Sequence, residues 1–230
     1  IYADWNGQIA YTTPNMNGLS LTLGVMQPWN STASGAVSEA STGSTDQFGF
    51  QGQGSYSWTG DFAGKVWAGF FTQEVTGMTD GAATPAALTS NQSDTATAYE
   101  AGVSATVMNI NLVAYGYSGD GVGTTGLLVD AFDSTGAARE SDGGYVQATY
   151  VIPMGTKLGV SYGISNLDDN AADAGANLVK ENERVTVGAY HPLTKHLNLV
   201  AEYSNVQSES HGPQSSLETD IVSVGAILFF

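Results

Sequence analysis

Apolar and polar residues alternate one by one along most of this chain, in segments that turns and loops separate. In one segment Leu19, Leu21, Leu23 and Val25 fall on one side, and the small or polar residues between them fall on the other. This period of two is the pattern of a β-strand whose two faces meet different surroundings. It predicts about eleven strands, near residues 8–13, 19–25, 48–58, 65–70, 99–107, 110–118, 145–152, 157–164, 184–189, 197–203 and 221–230.

The connections between these strands alternate between short and long. Tight turns are predicted at 14–18, 59–61, 108–109, 153–155 and 192–196, and loops at about 27–45, 76–95, 119–142, 168–182 and 207–217. Successive connections of an antiparallel sheet lie at opposite ends, so all the short turns share one end. Outer-membrane β-barrels have this arrangement, with short periplasmic turns and long outer loops, whereas a soluble sandwich has no reason for it.

The chain ends on an apolar strand, residues 221–230, whose last two residues are Phe229 and Phe230. An open strand edge with aromatic residues at its tip invites aggregation unless another strand closes on it. A closed barrel in a bilayer removes that edge and places the last ring at the membrane interface. The last strand of a soluble sandwich is the alternative. We therefore predict an all-β fold, a transmembrane antiparallel β-barrel, that forms a single domain over residues 1–230.

Composition agrees with a barrel and argues against several other classes. Hydrophobic residues make up 42% of the chain, and no window approaches the roughly 20 apolar residues of a membrane-spanning helix. The 22 acidic residues against 6 basic ones give a net charge of −16, which argues against nucleic acid as a partner. His191, His196 and His211 lack the spacing of a paired metal site, and nucleophile and phosphate-loop motifs are absent. The sequence therefore predicts no catalytic site, no metal and no cofactor.

Three segments resemble the general porins of Gram-negative bacteria. They are residues 7–20 (GQIAYTTPNMNGLS), residues 187–195 (VGAYHPLTK) and the closing residues 225–230 (GAILFF). The resemblance covers nearly the whole chain and implies a sixteen-stranded barrel, of which this chain is expected to be about the last two-thirds. Bacterial barrels have even strand numbers, so about five strands and the inward-folded constriction loop are expected outside this sequence. A complete twelve-stranded barrel with a further strand at residues 126–132 is the alternative.

The resemblance also implies a function and a location. It implies a water-filled channel for passive diffusion of ions and small hydrophilic solutes, in the outer membrane of a Gram-negative bacterium. It further implies a homotrimer in contact with outer-membrane lipid and lipopolysaccharide. A solute-specific channel and a structural or adhesive surface barrel without conductance are the alternatives. Because acidic residues concentrate in the long loops, where ions would enter, we expect a weak preference for cations.

Alternation assigns side chains to the two surfaces of such a barrel. A charge that faced lipid at mid-depth would cost about 2–4 kcal/mol, so charged strand residues are expected to face the lumen. The predicted pore-lining residues are Lys65, Glu100, Gln147, Lys157, Arg184 and Glu202. Tyr and Trp favour the membrane interface because the ring is apolar and its edge is polar. The predicted interface aromatics, which lie near short turns, are Tyr11, Trp58, Phe62, Tyr190 and Phe230.

The acidic loop near residues 168–182 carries Asp168, Asp169 and Asp173, with Asn170 between them. Oxygen ligands of this kind can hold a hard cation. The spacing lacks the glycine and the distal glutamate of an EF-hand, so the sequence favours a solvated loop over a metal site.

Overall fold

The computed structural model describes residues 5–30, 47–78, 92–133, 135–174, 176–214 and 216–230. The strands are β1 (Gln8–Thr12), β2 (Leu19–Met26), β3 (Gly49–Trp58), β4 (Phe62–Met78), β5 (Gln92–Val107), β6 (Ile110–Asp120), β7 (Glu140–Val151), β8 (Lys157–Leu167), β9 (Val179–Pro192), β10 (Leu197–Ser210) and β11 (Leu217–Leu228). A short 3-10 helix, Ala171–Asp173, lies between β8 and β9. Across these described ranges, no helix is long and apolar enough to cross a membrane.

Each strand pairs antiparallel with the next, so the eleven strands form one sheet in sequence order. Within the described residues, β1 and β11 do not pair with each other. The predicted all-β antiparallel fold is confirmed, with a strand at each expected position. The structure extends β4 to Met78 and starts β5 at Gln92, because backbone pairing continues through the polar residues beyond the apolar stretch. The predicted loops at 27–45 and 76–95 lie largely outside the described residues.

Residues 126–132, the alternative position for a twelfth strand, do not form one. They belong to a folded connection between β6 and β7, residues 121–139, which we call the inner segment. The chain turns sharply at its start, where Gly123 has a φ of +75°. A Cβ at this glycine would lie 2.1 Å from the carbonyl oxygen of Val129. The turn therefore requires glycine for its backbone conformation. It also requires glycine because the backbones at Gly123 and Val129 approach each other closely.

The strand register divides the sheet into two faces of opposite character. One row of paired residues across β3 to β7 reads Gln53, Gly69, Glu100, Tyr117 and Gly143. We call this the inner face because the inner segment packs on it. The other face, the outer face, exposes aliphatic side chains on nearly every strand, among them Ile9, Leu23, Val66, Val103, Leu112, Val146, Val160, Val187, Leu199 and Val222.

Large rings on the inner face lie over glycines of neighbouring strands. A Cβ at Gly102 would lie 2.1 Å from Cζ2 of Trp67, and a Cβ at Gly143 would lie 2.8 Å from Cε1 of Tyr117. Glycine in a strand often marks such a close approach, because no side chain of its own keeps the neighbour away. The rings can therefore lie flat along the sheet.

Gly102→Ala is expected to destabilise the folded protein by about 1–3 kcal/mol, because the added methyl group would displace the Trp67 ring. Gly163→Ala is the matched control, since Gly163 lies in the same row of paired residues. A Cβ at this control position would lie 3.4 Å from the nearest side-chain atom, an ordinary contact distance. Urea titration in detergent gives the free energy of unfolding of each variant. An equal loss of stability in both variants would contradict the packing described above.

Candidate functional site: the inner face and the inner segment

The inner face carries all six polar residues that the sequence assigned to the pore. In chain order they lie on β4, β5, β7, β8, β9 and β10, and they are Lys65, Glu100, Gln147, Lys157, Arg184 and Glu202. Among the described residues, none of the six forms an ion pair with another. The charged groups are therefore distributed over the inner face.

Two of these charged groups are fixed by hydrogen bonds to nearby side chains of β9 and β10. Arg184 donates from Nη2 to Oγ of Ser204 at 2.9 Å and from Nε to Oγ1 of Thr186 at 3.1 Å. The hydroxyl of Tyr190 donates to Oε1 of Glu202. Both charged groups therefore lie along the sheet and are held there by neutral partners.

Gln147 and Lys157 come together at the short-turn end of the sheet. Both line a groove of about 510 Å³, together with Tyr190. Lys65 lies apart from them, and its ammonium nitrogen is 5.8 Å from the centre of the Trp67 ring. That distance is within the range of a cation–π contact. The structure thus groups two of the predicted residues and gives a third a separate, aromatic environment.

The five predicted interface aromatics do not share one face. Tyr11 and Phe62 are exposed on the outer face, and the rings of Trp58 and Phe62 have centres 6.0 Å apart. Phe230 follows the end of β11 and is fully exposed. The register puts Tyr190 on the inner face, where its hydroxyl contacts a carboxylate. The structure therefore separates Tyr190 from the outer-face aromatics.

The inner segment is held on the inner face by a small apolar core. Its buried residues and the strand residues beneath them form one cluster, Val122, Leu128, Ala131 and Phe132 over Val75 and Ala96. Trp29 and Phe71 pack against this cluster, with ring centres 5.9 Å apart. Burying one large aliphatic or aromatic side chain contributes about 1.5–3 kcal/mol. The cluster is therefore large enough to fix the position of the segment.

A buried ion pair fastens the far end of the inner segment. Arg139 is fully buried and donates from Nε and Nη2 to the two carboxylate oxygens of Asp173, at 2.8 Å and 2.6 Å. Its Nη1 donates to the carbonyl oxygen of Asp130 at 2.7 Å. Two parallel hydrogen bonds between a guanidinium and a carboxylate make a strong and directional contact. The pair ties the inner segment to the connection between β8 and β9.

Asn170 adds a second tie between the same two connections. Its Nδ2 donates to Oδ2 of Asp133 at 2.9 Å and to the carbonyl oxygen of Ala138 at 3.2 Å. Its backbone N–H donates to Oδ2 of Asp173 at 2.9 Å.

In the part of the chain that the structure describes, no group of three or more His, Cys, Asp or Glu side chains is arranged to hold a metal ion.

The surroundings of these two loop carboxyls lower the pKa of each. Burial opposes ionisation of Asp173, but donation from Arg139 and from the Asn170 N–H, together with the positive charge of Arg139, takes its pKa below the usual 3.8. Burial likewise opposes ionisation of Asp133, and hydrogen bonds from Thr135, Asn170 and backbone N–H groups outweigh it, so that pKa is lowered too. Both groups therefore remain carboxylates at neutral pH.

The inner segment and Arg139 were not predicted from the sequence. Residues 119–142 were expected to form one long loop, and the inward-folded part of the barrel was expected outside this chain. A signal was present, because the segment is too apolar for a solvated loop and Arg139 is its one basic residue. Its apolar residues include Val122, Leu127, Leu128, Val129 and Phe132.

An apolar exposed outer face, a polar inner face and antiparallel pairing of consecutive strands define the wall of a transmembrane β-barrel. Comparison with protein families gives the more specific result. The Gram-negative porin family matches residues 1–211, and the chain belongs to that family. Its location is therefore the outer membrane of a Gram-negative bacterium, and its family points to a channel rather than an enzyme.

Two solved structures have a similar fold. The outer membrane channel DcaP of Acinetobacter baumannii superposes with a TM-score of 0.76 at 16% identity, over 96% of this chain and 62% of that chain. The anion-selective porin from Comamonas acidovorans gives a TM-score of 0.65 at 14% identity, over 97% of this chain and 59% of that chain. This chain thus spans less than two thirds of either structure. The comparison with curated proteins gives no match.

Asp173→Asn is expected to loosen the inner segment, because breaking a buried ion pair costs about 3–5 kcal/mol. Hydrogen exchange of the amides of residues 121–139 measures the loosening. Lys180→Gln is the matched control, since it breaks the Lys180–Glu209 pair, in which both side chains are about half exposed. Solvent screens such a pair, so its loss should leave exchange in the inner segment unchanged. Equal protection in the wild type and Asp173→Asn would contradict a fastening role for the pair.

The same pair predicts a dependence of stability on pH. The folded-state pKa of Asp173 is lowered, so its ionised carboxylate stabilises the folded protein. This contribution to the free energy of unfolding is fully present above pH 3.8 and is lost as the pH falls through the lower folded-state pKa. Free energies of unfolding, measured from neutral pH to below that range, should fall more steeply for the wild type than for Asp173→Asn. Parallel pH profiles for the two proteins would count against this linkage.

Proposed function

We propose that this protein forms a water-filled channel through the outer membrane for passive diffusion of ions and small hydrophilic solutes. The division of the sheet into a polar inner face and an exposed apolar outer face carries the proposal. In a bilayer the apolar face contacts lipid, and the polar face then lines water. Membership of the porin family supports the same function.

The inner segment narrows this channel. It lies on the inner face rather than beyond the ends of the strands, and the Arg139–Asp173 pair and the apolar core hold it there. A segment that is fastened at both ends keeps a fixed distance from the facing wall. The open-channel current should therefore be steady in the wild type and noisier in Asp173→Asn.

We infer a transport role without catalysis. The three histidines make local contacts, His191 near the end of β9 and His196 and His211 in connections between strands. His191 contacts the hydroxyl of Thr156, His196 contacts the carbonyl of Phe229, and His211 contacts the carbonyl of Leu167. These contacts support a structural use for the side chains that most often act as general bases.

Purified protein in a planar lipid bilayer should give discrete, ohmic current steps, because a rigid water-filled lumen conducts in proportion to voltage. Vesicles that contain the protein should swell in solutions of small sugars. Folding is checked on the same sample by circular dichroism and by resistance to denaturation in detergent. Folded protein that leaves the bilayer insulating would overturn the channel proposal and would favour a structural or adhesive barrel.

We also propose a weak preference for cations. Acidic residues crowd the long-loop end of the sheet, and the basic residues there, Arg139 and Lys180, are paired with Asp173 and Glu209. The negative potential at that entrance raises the local concentration of cations, and salt screens it over about 10 Å at 0.1 M. The cations of the inner face act in the opposite direction.

Lys157→Gln is expected to shift the reversal potential further towards cation selectivity, because it removes a positive charge from the inner face. Lys195→Gln is the matched control, since it makes the same change in the connection between β9 and β10, off the strands. The reversal potential across a salt gradient, measured at low ionic strength, should move more for the first variant. An equal shift in both variants would show that the position of the charge is immaterial.

We propose a homotrimer in contact with outer-membrane lipid and lipopolysaccharide, on the family resemblance. Every residue of β11 is exposed in the single chain, which leaves that strand available for contact with a further strand or another chain. Native mass spectrometry in mild detergent measures the assembly. A monomer alone under those conditions would contradict the trimer.

A further inference from the structure

A cavity of about 690 Å³ lies between the inner segment and the inner face of β3 to β7. One end of the cavity is apolar. The rings of Trp29 and Phe71 lie against each other there at an angle of 55°, and Val122 and Leu127 of the inner segment complete the wall. The other end carries the carboxylate of Glu100. Binding sites for small molecules commonly combine an apolar lining with a few placed polar groups in this way.

Two neutral donors fix the carboxylate of Glu100. Nε2 of Gln53 donates to Oε1 and the hydroxyl of Tyr115 donates to Oε2, each at 2.9 Å. Within the described part of the chain, this carboxylate has no ion-pair partner. The basic residue of the inner segment, Arg139, is held by Asp173. A partly buried carboxylate among neutral groups is stabilised most by a cation that enters beside it.

Tyrosine rings surround the carboxylate end of the cavity. The ring centre of Tyr115 lies 5.5 Å from that of Tyr145 and 6.5 Å from that of Tyr117, and all three residues line the cavity. The faces of aromatic rings attract cations. Lys65 over the Trp67 ring is an example of this contact on the same face. An ammonium group at this end therefore gains from the carboxylate and from the rings together.

We propose that this cavity binds organic ammonium ions that carry an apolar body. The ammonium group lies at Glu100 among the tyrosine rings, and the apolar body lies against Trp29, Phe71 and Leu127. The proposal rests on the channel function proposed above, since it makes the cavity a stopping point for such solutes on their way through. An organic anion would meet Glu100 with like charge, and a neutral solute of the same shape would lack the ionic contact.

Three probes of similar shape test the wild-type protein without any variant. They are 2-phenylethylamine, 2-phenylethanol and phenylacetate, which are cationic, neutral and anionic at neutral pH. Isothermal titration calorimetry in detergent should detect binding of the amine, and the amine should interrupt single-channel current in bilayers. The alcohol and the acid should bind at least about tenfold more weakly, as expected for loss of one charge-assisted hydrogen bond. Equal binding of the alcohol and the amine would overturn the proposal.

Glu100→Gln assigns the binding to one carboxylate. It keeps the shape of the side chain and should weaken binding of 2-phenylethylamine by about 10- to 100-fold. Glu140→Gln is the matched control, because it removes the same charge at the start of β7, outside the cavity lining. It should leave amine binding unchanged. Equal weakening in both variants would assign the effect to the general negative potential of the entrance and would overturn the site.

The two readouts separate this inference from the channel proposal. Steady current steps that 2-phenylethylamine neither interrupts nor reduces, with no heat of binding, would overturn the site and leave the channel standing. Absence of current steps would overturn the channel, and calorimetry would still decide whether the cavity binds the amine. Tyr115→Phe gives a second variant, which keeps the ring but removes the donor to Glu100 and should change amine affinity without abolishing it.

Discussion

Backbone pairing along the full length of every strand is the constraint on which this structure depends. Inside a bilayer no water is available for the N–H and C=O groups, so each strand must find its partners in its neighbours. Between β10 and β11 the pairing runs without a break from Leu197 with Leu228 to Ser208 with Leu217. Pairing fixes the register, and the register fixes which face each side chain occupies. A slip of one residue would turn Glu202 to the outer face.

The inner segment is held by side-chain contacts, whereas the strands are held by backbone pairing. A single sheet has no second layer to bury its side chains, and the apolar core of this protein lies where residues 121–139 cover β4 and β5. A buried Arg139 would be costly alone, and its bidentate partner Asp173 compensates for the loss of water. Asp130 has a φ of +56°, uncommon for a residue other than glycine, and its carbonyl accepts from Arg139. Local strain and the ion pair thus occur together.

The architecture could be predicted from short-range pattern, whereas the ion pair that holds the inner segment could not. Alternation such as that of Leu19, Leu21, Leu23 and Val25 depends on neighbours in sequence, so it predicted strands at the right places. The contact of Arg139 with Asp173 joins residues 34 apart through folded connections, which no local pattern encodes. The end of β4 was also missed, since pairing continues through the polar residues Gln73 and Glu74 to Val75 and Met78.

Tyr190 shows that closeness to a turn does not determine which face of the sheet a side chain occupies. Its place beside a short turn suggested the membrane interface, but alternation from Arg184 already assigned it to the inner face, where the structure has it. The parity of a residue within its strand is therefore a stronger guide than its distance from a turn. Glu100 was assigned to the pore by its parity alone, whereas the rings that line the cavity with it include Tyr115, Tyr117 and Tyr145 of other strands and Trp29, which follows β2.

Access of water to the two faces tests the central claim most directly. The chain has no cysteine, so single cysteines at adjacent positions 146 and 147 of β7 report the faces without background. Val146 is exposed on the outer face and Gln147 lies on the inner face. In a lipid bilayer, a charged, membrane-impermeant thiol reagent should react with Gln147→Cys and lower its single-channel conductance, and it should leave Val146→Cys unmodified. Reaction at position 146, or at both positions alike, would contradict the assignment of the faces and with it the channel.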